Sequence, residues 1–283
     1  MGRQRGVALV LVMWLVALLA ALVGAYATTA RIEYMQGRVL HGAVVAESAA
    51  RAGLEYALVR LQDQEPRRAW QADGRSYRWR YGGADVELRI LDESAKIDLN
   101  AADVMLLAGL FRTLGVEPSQ ADAVAAAIVD WRDSDSLTQA SGGAEDGQYA
   151  AAGLPYGAKD APFDTIAEVE QVLGMTPALY ALAAPHLTVF SGLEKPDERF
   201  ASAEVLGALG IDPAMTLALR EAGGEALAES LRGGGSGTYS IDSRARLADG
   251  RQAVLRAVVR AGGSGVPGSA YTPLRWEEGA TPR

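Results

Sequence analysis

Five carboxylates fall within seventeen residues, in Asp130-Trp-Arg-Asp133-Ser-Asp135 and then Gly143-Ala-Glu145-Asp146, with Gly, Ser and Thr between them. Groups of like charge this dense repel one another unless a cation or solvent separates them. Oxygen donors without His or Cys suit a hard cation, and an irregular loop suits Ca²⁺, which takes six to eight oxygens including backbone carbonyls. The candidate ligands are Asp133, Asp135, Glu145 and Asp146, with Asp130 supporting them or adding a ligand. The spacing is not that of an EF-hand, because Leu137 and Thr138 stand where that loop needs a ligand and a glycine. The same residues also read as a solvated acidic loop, with Asp130 paired to Arg132 or Arg112. A carboxylate pair for glycoside hydrolysis lacks an aromatic cleft pattern around it.

Other chemistries find little support. The chain has no cysteine, hence no disulfide framework and no thiolate. Its two histidines, His41 and His186, read as surface or packing residues, and neither a Ser-His-Asp spacing nor a phosphate-binding glycine loop occurs. A net charge of -8 opposes binding to nucleic-acid phosphates.

The elements that must position the acidic loop begin at the N-terminus. From Val7 to Ala30 no residue is charged, and Arg3 and Arg5 precede the run. As a helix this run is ~36 Å long, enough to cross a ~30 Å hydrocarbon core. The flanking arginines put the N-terminus in the cytoplasm and export the remainder. A secretory signal would have a shorter apolar region. Arg5-Gly6 ahead of Val7-Ala-Leu-Val-Leu11 instead has the shape of a prepilin-type leader, cut between Gly6 and Val7. Apolar or small residues then recur at Ile32, Met35, Val39, Ala43, Ala46, Ala50, Leu54, Ala57 and Leu61, predicting one helix that continues out of the membrane as far as Pro66.

Ser76–Tyr81 and Asp85–Ile90 alternate about Gly82-Gly83, which predicts a β-hairpin whose Tyr77, Trp79 and Tyr81 pack on that helix. Three helix pairs follow. The first runs from the caps at Asp98–Asp103 to Leu114 and then to Trp131. The second joins Ile166–Leu173 to Pro177–Ala183, and the third joins Phe200–Leu206 to Met215–Ala222. They are similar to helix-hairpin-helix modules, but Glu117 and Asp212 stand in turns where a phosphate-binding version has glycine. Strand patterns return at Thr238–Ser243 and Gln252–Val259.

Taken in order, Gly6-Val-Ala-Leu-Val-Leu-Val-Met-Trp14, Asp92-Glu-Ser-Ala-Lys-Ile-Asp-Leu-Asn100, Asp130-Trp-Arg-Asp-Ser-Asp135, Gly143-Ala-Glu-Asp146 and Phe163-Asp-Thr-Ile-Ala-Glu-Val169 with Gly174-Met175 resemble the K-type minor pseudopilins of type II secretion. Most pseudopilins carry Glu where Leu11 stands here, and the resemblance to the K type implies this departure. The resemblance implies an α+β pseudopilin fold: a long N-terminal helix on a small antiparallel sheet, with a large inserted helical domain that holds calcium. The implied division is a leader at 1–6, a membrane segment at 7–30, and helix plus hairpin at 31–97. An insertion at 98–232, returning strands at 233–261 and a flexible tail at 262–283 complete it. The implied role is non-enzymatic, at the tip of the pseudopilus, initiating its assembly and the export of folded proteins. The implied partners are the I- and J-type minor pseudopilins, the major pseudopilin filament, the prepilin peptidase and the inner membrane, with no nucleic acid. The alternative is a membrane-anchored helix-hairpin-helix DNA receptor of the competence type, for which Lys96-Ile-Asp-Leu-Asn-Ala-Ala102 speaks most directly. A calcium-dependent periplasmic hydrolase is a third reading.

Overall fold

A computed structural model describes residues 5–63, 65, 68–222, 235–262 and 270–279. Pro66 and Gly233-Gly234 of the expected glycine return lie outside the described residues. Helix α1 (Arg5–Leu61) is 57 residues long and continuous. Among the described residues its apolar first half is uncovered, and those from Ala8 to Gly37 are all exposed. Its second half lies on a five-stranded antiparallel sheet of order β1-β2-β5-β6-β7, formed by β1 (Asp73–Tyr81), β2 (Ala84–Asp92), β5 (Thr238–Leu247), β6 (Gln252–Ala261) and β7 (Tyr271–Glu278).

Small residues set how close helix and sheet come. Ala46, Ala49, Ala50, Leu54, Ala57 and Leu58 are buried. A Cβ on Gly53 would lie 2.6 Å from Ser243 Oγ and 2.8 Å from Val86 Cγ1. That approach lets the Ser243 hydroxyl donate to the Ala50 carbonyl at 2.7 Å. The buried stripe begins only at Gly42, so Ile32 and Met35 of the expected apolar face are exposed because the sheet does not reach that far down the helix, while Ala43, next to Gly42, is exposed off the buried stripe.

The hairpin turns through Gly82 (φ 58°) and Gly83 (φ 80°), which pairs Tyr81 with Ala84 in a two-residue loop. Tyr56 of α1 stacks on Trp79 at 4.4 Å, and Trp70 stacks on Tyr77 at 4.3 Å. Of the hairpin aromatics, Trp79 thus meets the helix directly, Tyr77 meets Trp70 of the connection, and Tyr81 stacks on Trp79 at 5.0 Å but stays exposed. One expectation is corrected at the other edge. The span 262–283 was expected to be a flexible tail, but Tyr271–Glu278 pairs with β6 and closes the sheet, since its alternating Tyr, Leu and Trp find apolar cover.

Strands β2 and β5 are neighbours in register from Ala84↔Leu247 to Asp92↔Tyr239, so everything between them is an insertion. It contains β3 (Ile97–Asp98), α2 (Val104–Thr113), α3 (Pro118–Arg132), α4 (Asp146–Ala151), α5 (Pro177–Ala183), β4 (Leu187–Thr188), α6 (Ala203–Ala208) and α7 (Pro213–Ala222). Ile166–Gln171, expected to open an α-helix, is a 3-10 turn. The insertion has its own core around Leu107, Leu110, Phe111, Ile128 and Leu206.

A buried polar network joins insertion and sheet. Glu93 is 1% exposed and accepts from Lys96 Nζ at 2.6 Å and from the hydroxyls of Ser240 on β5 and Thr188 on β4. Asp92 accepts from the Ser94 amide at 2.8 Å and the Ser236 hydroxyl at 2.7 Å. Both chain crossings between the two bodies therefore end on adjacent carboxylates.

Candidate metal centre

The acidic loop leaves the C-terminus of α3 and returns at the N-terminus of α4. Asp133 is the C-cap of α3 and Glu145 the N-cap of α4, so two helix ends aim carboxylates at one point. One oxygen each from Asp133, Asp135 and Glu145 lie within 4.8 Å of one another. Asp133 Oδ1 and Glu145 Oε1 are buried and have no hydrogen-bond partner among the described residues. Burial together with the charges of Asp130, Asp133, Asp160 and Asp135 pushes Glu145 up to about 7, and burial with Asp135 also raises Asp133. Two buried orphan oxygens in an all-oxygen donor set are a fit for a hard cation.

Asp146 does not join this group. It is the first residue of α4, and its Oδ1 would lie 1.7 Å from a Cβ on Gly157, so its side chain lies against the Gly157 backbone. Asp130 supports the loop from beneath. It is fully buried, and its two oxygens each accept from the Gln139 amide at 3.2 Å. Gly143 is required there, because a Cβ would sit 2.0 Å from Asp130 Oδ2. Arg132 does not pair with Asp130; it donates to the carbonyls of Leu99 and Ala102 and ties α3 to the start of the insertion. Arg112 pairs with Asp122 instead.

Asp160 was missed by sequence reasoning. Its charge acts on both Asp133 and Glu145, and it sits at φ 53°, the one described non-glycine residue with positive φ. The only local sign of it is the turn-like composition Gly157-Ala-Lys-Asp160. Lys159 anchors that turn, donating to Asp164, Glu168 and the Pro162 carbonyl at 2.7–2.8 Å. Asn100 clamps the next stretch through both the amide and the carbonyl of Phe163. Trp131, Tyr149 and Phe163 form an aromatic floor, with Trp131–Tyr149 centroids 5.8 Å apart, and burial pushes the Tyr149 phenol up to about 12.

The remaining candidate chemistry is accounted for by structure. His186 Nδ1 lies 3.1 Å from Ser202 Oγ and 3.9 Å from Glu204. Both partners address the same ring nitrogen, so they cannot form a relay across it. Glu117 accepts from the amides of Ser119 and Gln120, and Asp212 from those of Ala214 and Met215. At each hairpin turn the helix amides that could meet a phosphate are thus taken by the chain's own carboxylate. Gly6 and Val7 lie in the first turns of α1, and that helix is long and apolar enough to cross a membrane.

Residues 86–192 match the family model described as Type II secretion system (T2SS), protein K. Type II secretion system protein K of Klebsiella pneumoniae is 29% identical over 206 residues, 65% of this chain and 62% of that relative. Its counterpart from Pectobacterium carotovorum subsp. carotovorum is 36% identical over 78 residues, 28% of this chain and 24% of the relative. The chain thus spans less than two thirds of these relatives' own length. Among solved structures, a chain of the GspK-GspI-GspJ complex from the enterotoxigenic Escherichia coli type 2 secretion system superposes with a TM-score of 0.56 at 20% identity. That match covers 90% of this chain and 99% of the other. The order of long helix, split antiparallel sheet and inserted helical block is therefore the fold of that protein, and over residues 86–192 the chain is similar to type II secretion system protein K.

Proposed function

We propose that this chain is a minor pseudopilin that sits at the tip of a type II secretion pseudopilus, helps to start its assembly and serves the export of folded proteins, without catalysing a reaction. The observation that carries this reading is the division of α1. One unbroken helix has an apolar half that is uncovered among the described residues and a second half seated on a sheet. Ile32, Met35 and Leu40 extend the exposed apolar surface beyond the membrane segment, as a helix that packs among others in a filament requires. The insertion broadens the subunit beside the sheet, which disfavours repeated stacking along a thin shaft. Leu11 carries no carboxylate to neutralise a neighbour's buried amine, and an unpaired charge there is costly. Both features favour one copy at the top.

The helix crosses the inner membrane once, with Arg3 and Arg5 cytoplasmic and the folded part periplasmic. Prepilin peptidase cuts between Gly6 and Val7, after which Val7 is N-methylated. The solved relative is a complex with GspI and GspJ; the corresponding I- and J-type minor pseudopilins are the partners proposed for this chain, with the major pseudopilin filament below them. Calcium is held by Asp133, Asp135 and Glu145, with Asp160 close enough to contribute charge, and it supplies the neutralisation that lets the acidic loop close. Asp146, expected as a fourth ligand, has no part in this scheme.

Co-expression with the I- and J-type proteins tests the reading: a stoichiometric heterotrimer should co-purify from membranes. A chain that stays alone in their presence, or labelling that finds many copies along the shaft, would overturn the tip assignment. N-terminal sequencing should find a chain beginning at Val7, and Gly6→Val should block that processing; a start near Thr28 would indicate a cleaved secretory signal instead.

A further inference from the structure

The face of the sheet turned away from α1 carries a charge pattern that ion pairs within the described residues satisfy only in part. Three rows of register cross β1, β2, β5 and β6. They read Arg80, Asp85, Arg246, Gln252; then Arg78, Glu87, Arg244, Val254; then Ser76, Arg89, Asp242, Arg256. Six of these twelve positions are arginine and three are acidic, on a chain whose net charge is -8. Arg80 pairs with Asp85 at 2.8 Å and Arg256 with Asp242 at 3.5 Å. Glu87 lies in register between Arg78 and Arg244 but is within ion-pair distance of neither. Arg78, Arg89, Arg244 and Arg246 have no ion pair or side-chain hydrogen bond among the described residues, and Arg244 Nε is buried without an acceptor. A cavity of about 120 Å³ opens beside it, lined by Ser76, Glu87, Arg89, Asp242 and Arg256.

A solvated face would keep its guanidinium groups in water, whereas here one nitrogen has lost water and gained nothing. No lysine occurs in these rows. Guanidinium forks match carboxylates in two-point contacts that an ammonium cannot make, and arginine is enriched where interfaces concentrate their energy. The spacing adds a constraint. Arg78 and Arg80 form one column and Arg244 and Arg246 another, with β2 between them. Along each column alternate residues are about 6.7 Å apart, which is also the repeat of alternate side chains in an extended peptide.

We propose that this face is a docking surface for an extended acidic segment of another protein, whose alternate carboxylates reach past Asp85 and Glu87 to the arginines flanking β2, Arg78 on one side and Arg244 and Arg246 on the other, with Arg89 at the end of the strip. The inference is independent of the subunit's place in the filament. It is tested with the full chain in neutral detergent micelles and a fluorescent Ser-Glu-Ser-Glu-Ser-Glu-Ser peptide, followed by anisotropy. Saturable binding is expected, weakening several-fold between low and physiological salt as partly exposed charges are screened. The Arg244→Glu/Arg246→Glu pair should weaken it at least tenfold. Arg246→Glu alone, at an exposed position that folding does not need, should weaken it several-fold. Arg112→Glu on α2 should leave it unchanged. The proposal is overturned if the wild-type chain ignores the peptide, if Arg246→Glu binds as well as wild type, or if phosphatidylglycerol vesicles are bound and the peptide is not. It is equally overturned if the reversals act only on self-association of the chain, read by sedimentation.

Discussion

The sheet body and the inserted block solve the same problem of stability in different ways. Around α1 and the sheet, contact is made by alanines, Gly53 and aliphatic side chains, and the polar Ser243 finds a backbone carbonyl. Around α3 and α4, a comparably tight arrangement closes on carboxylates that repel one another and on two oxygens with no donor. The contact between helix and sheet in the first body is closed by apolar packing. The second sets like charges against one another, so conditions that act on charge should separate the two.

The strongest way to break the comparison is at the joint. Glu93→Ala removes the acceptor shared by Lys96, Thr188 and Ser240 and leaves a largely buried ammonium without its carboxylate, which costs about 3–5 kcal/mol when such pairs are broken. Unfolding followed separately by Trp79 and Trp131 fluorescence should then lose its common midpoint; coincident transitions in the variant would mean that the network does not couple the bodies. Chelation comes next. A cation bound only by the native state at a hundredfold excess over Kd stabilises it by about 2.7 kcal/mol. EDTA should therefore lower the Trp131 transition and leave the Trp79 transition in place, and Asp133→Asn should remove that sensitivity. Equal rescue by Mg²⁺ would refute a calcium-type site.

Gly53→Ala sharpens the comparison from the other side. The added methyl meets Ser243 and Val86 inside contact distance, and overpacking of this kind costs about 1–3 kcal/mol. The loss should be the same with or without calcium. The smallest effect is on pH. Glu145 is raised from the ordinary carboxylate range to about 7 without metal, so its neutral form is favoured by folding. The stabilisation is full below about pH 4.5 and is lost as pH rises towards 7. Chelated protein should thus lose insertion stability across that window while the calcium-loaded protein gains it, because binding requires the ionised carboxylate. Parallel pH profiles with and without calcium would show that Glu145 is not a ligand.

Much of this was legible in residue order because it depends on local chemistry. The apolar run and its flanking charges, the Gly82-Gly83 hairpin, the Asp103 helix cap and the crowded acids between α3 and α4 are all near-neighbour patterns. Where local preference and packing diverged, packing won. Tyr271–Glu278 sits in a glycine- and proline-rich context, yet it becomes a strand because β6 offers an unpaired edge.

The sequence by itself determined the helix, the strands and which residue types could hold a cation, since periodicity and side-chain chemistry are properties of neighbours along the chain. Tertiary structure decided which carboxylates meet. It turned Asp146 towards Gly157, brought the field of Asp160 from a distant turn onto Asp133 and Glu145, and seated Asp130 beneath Gly143. It also gathered the arginines of four separate strands onto one face. Such encounters depend on register and on how closely two backbones approach, and neither quantity is written in the spacing of residues along the chain.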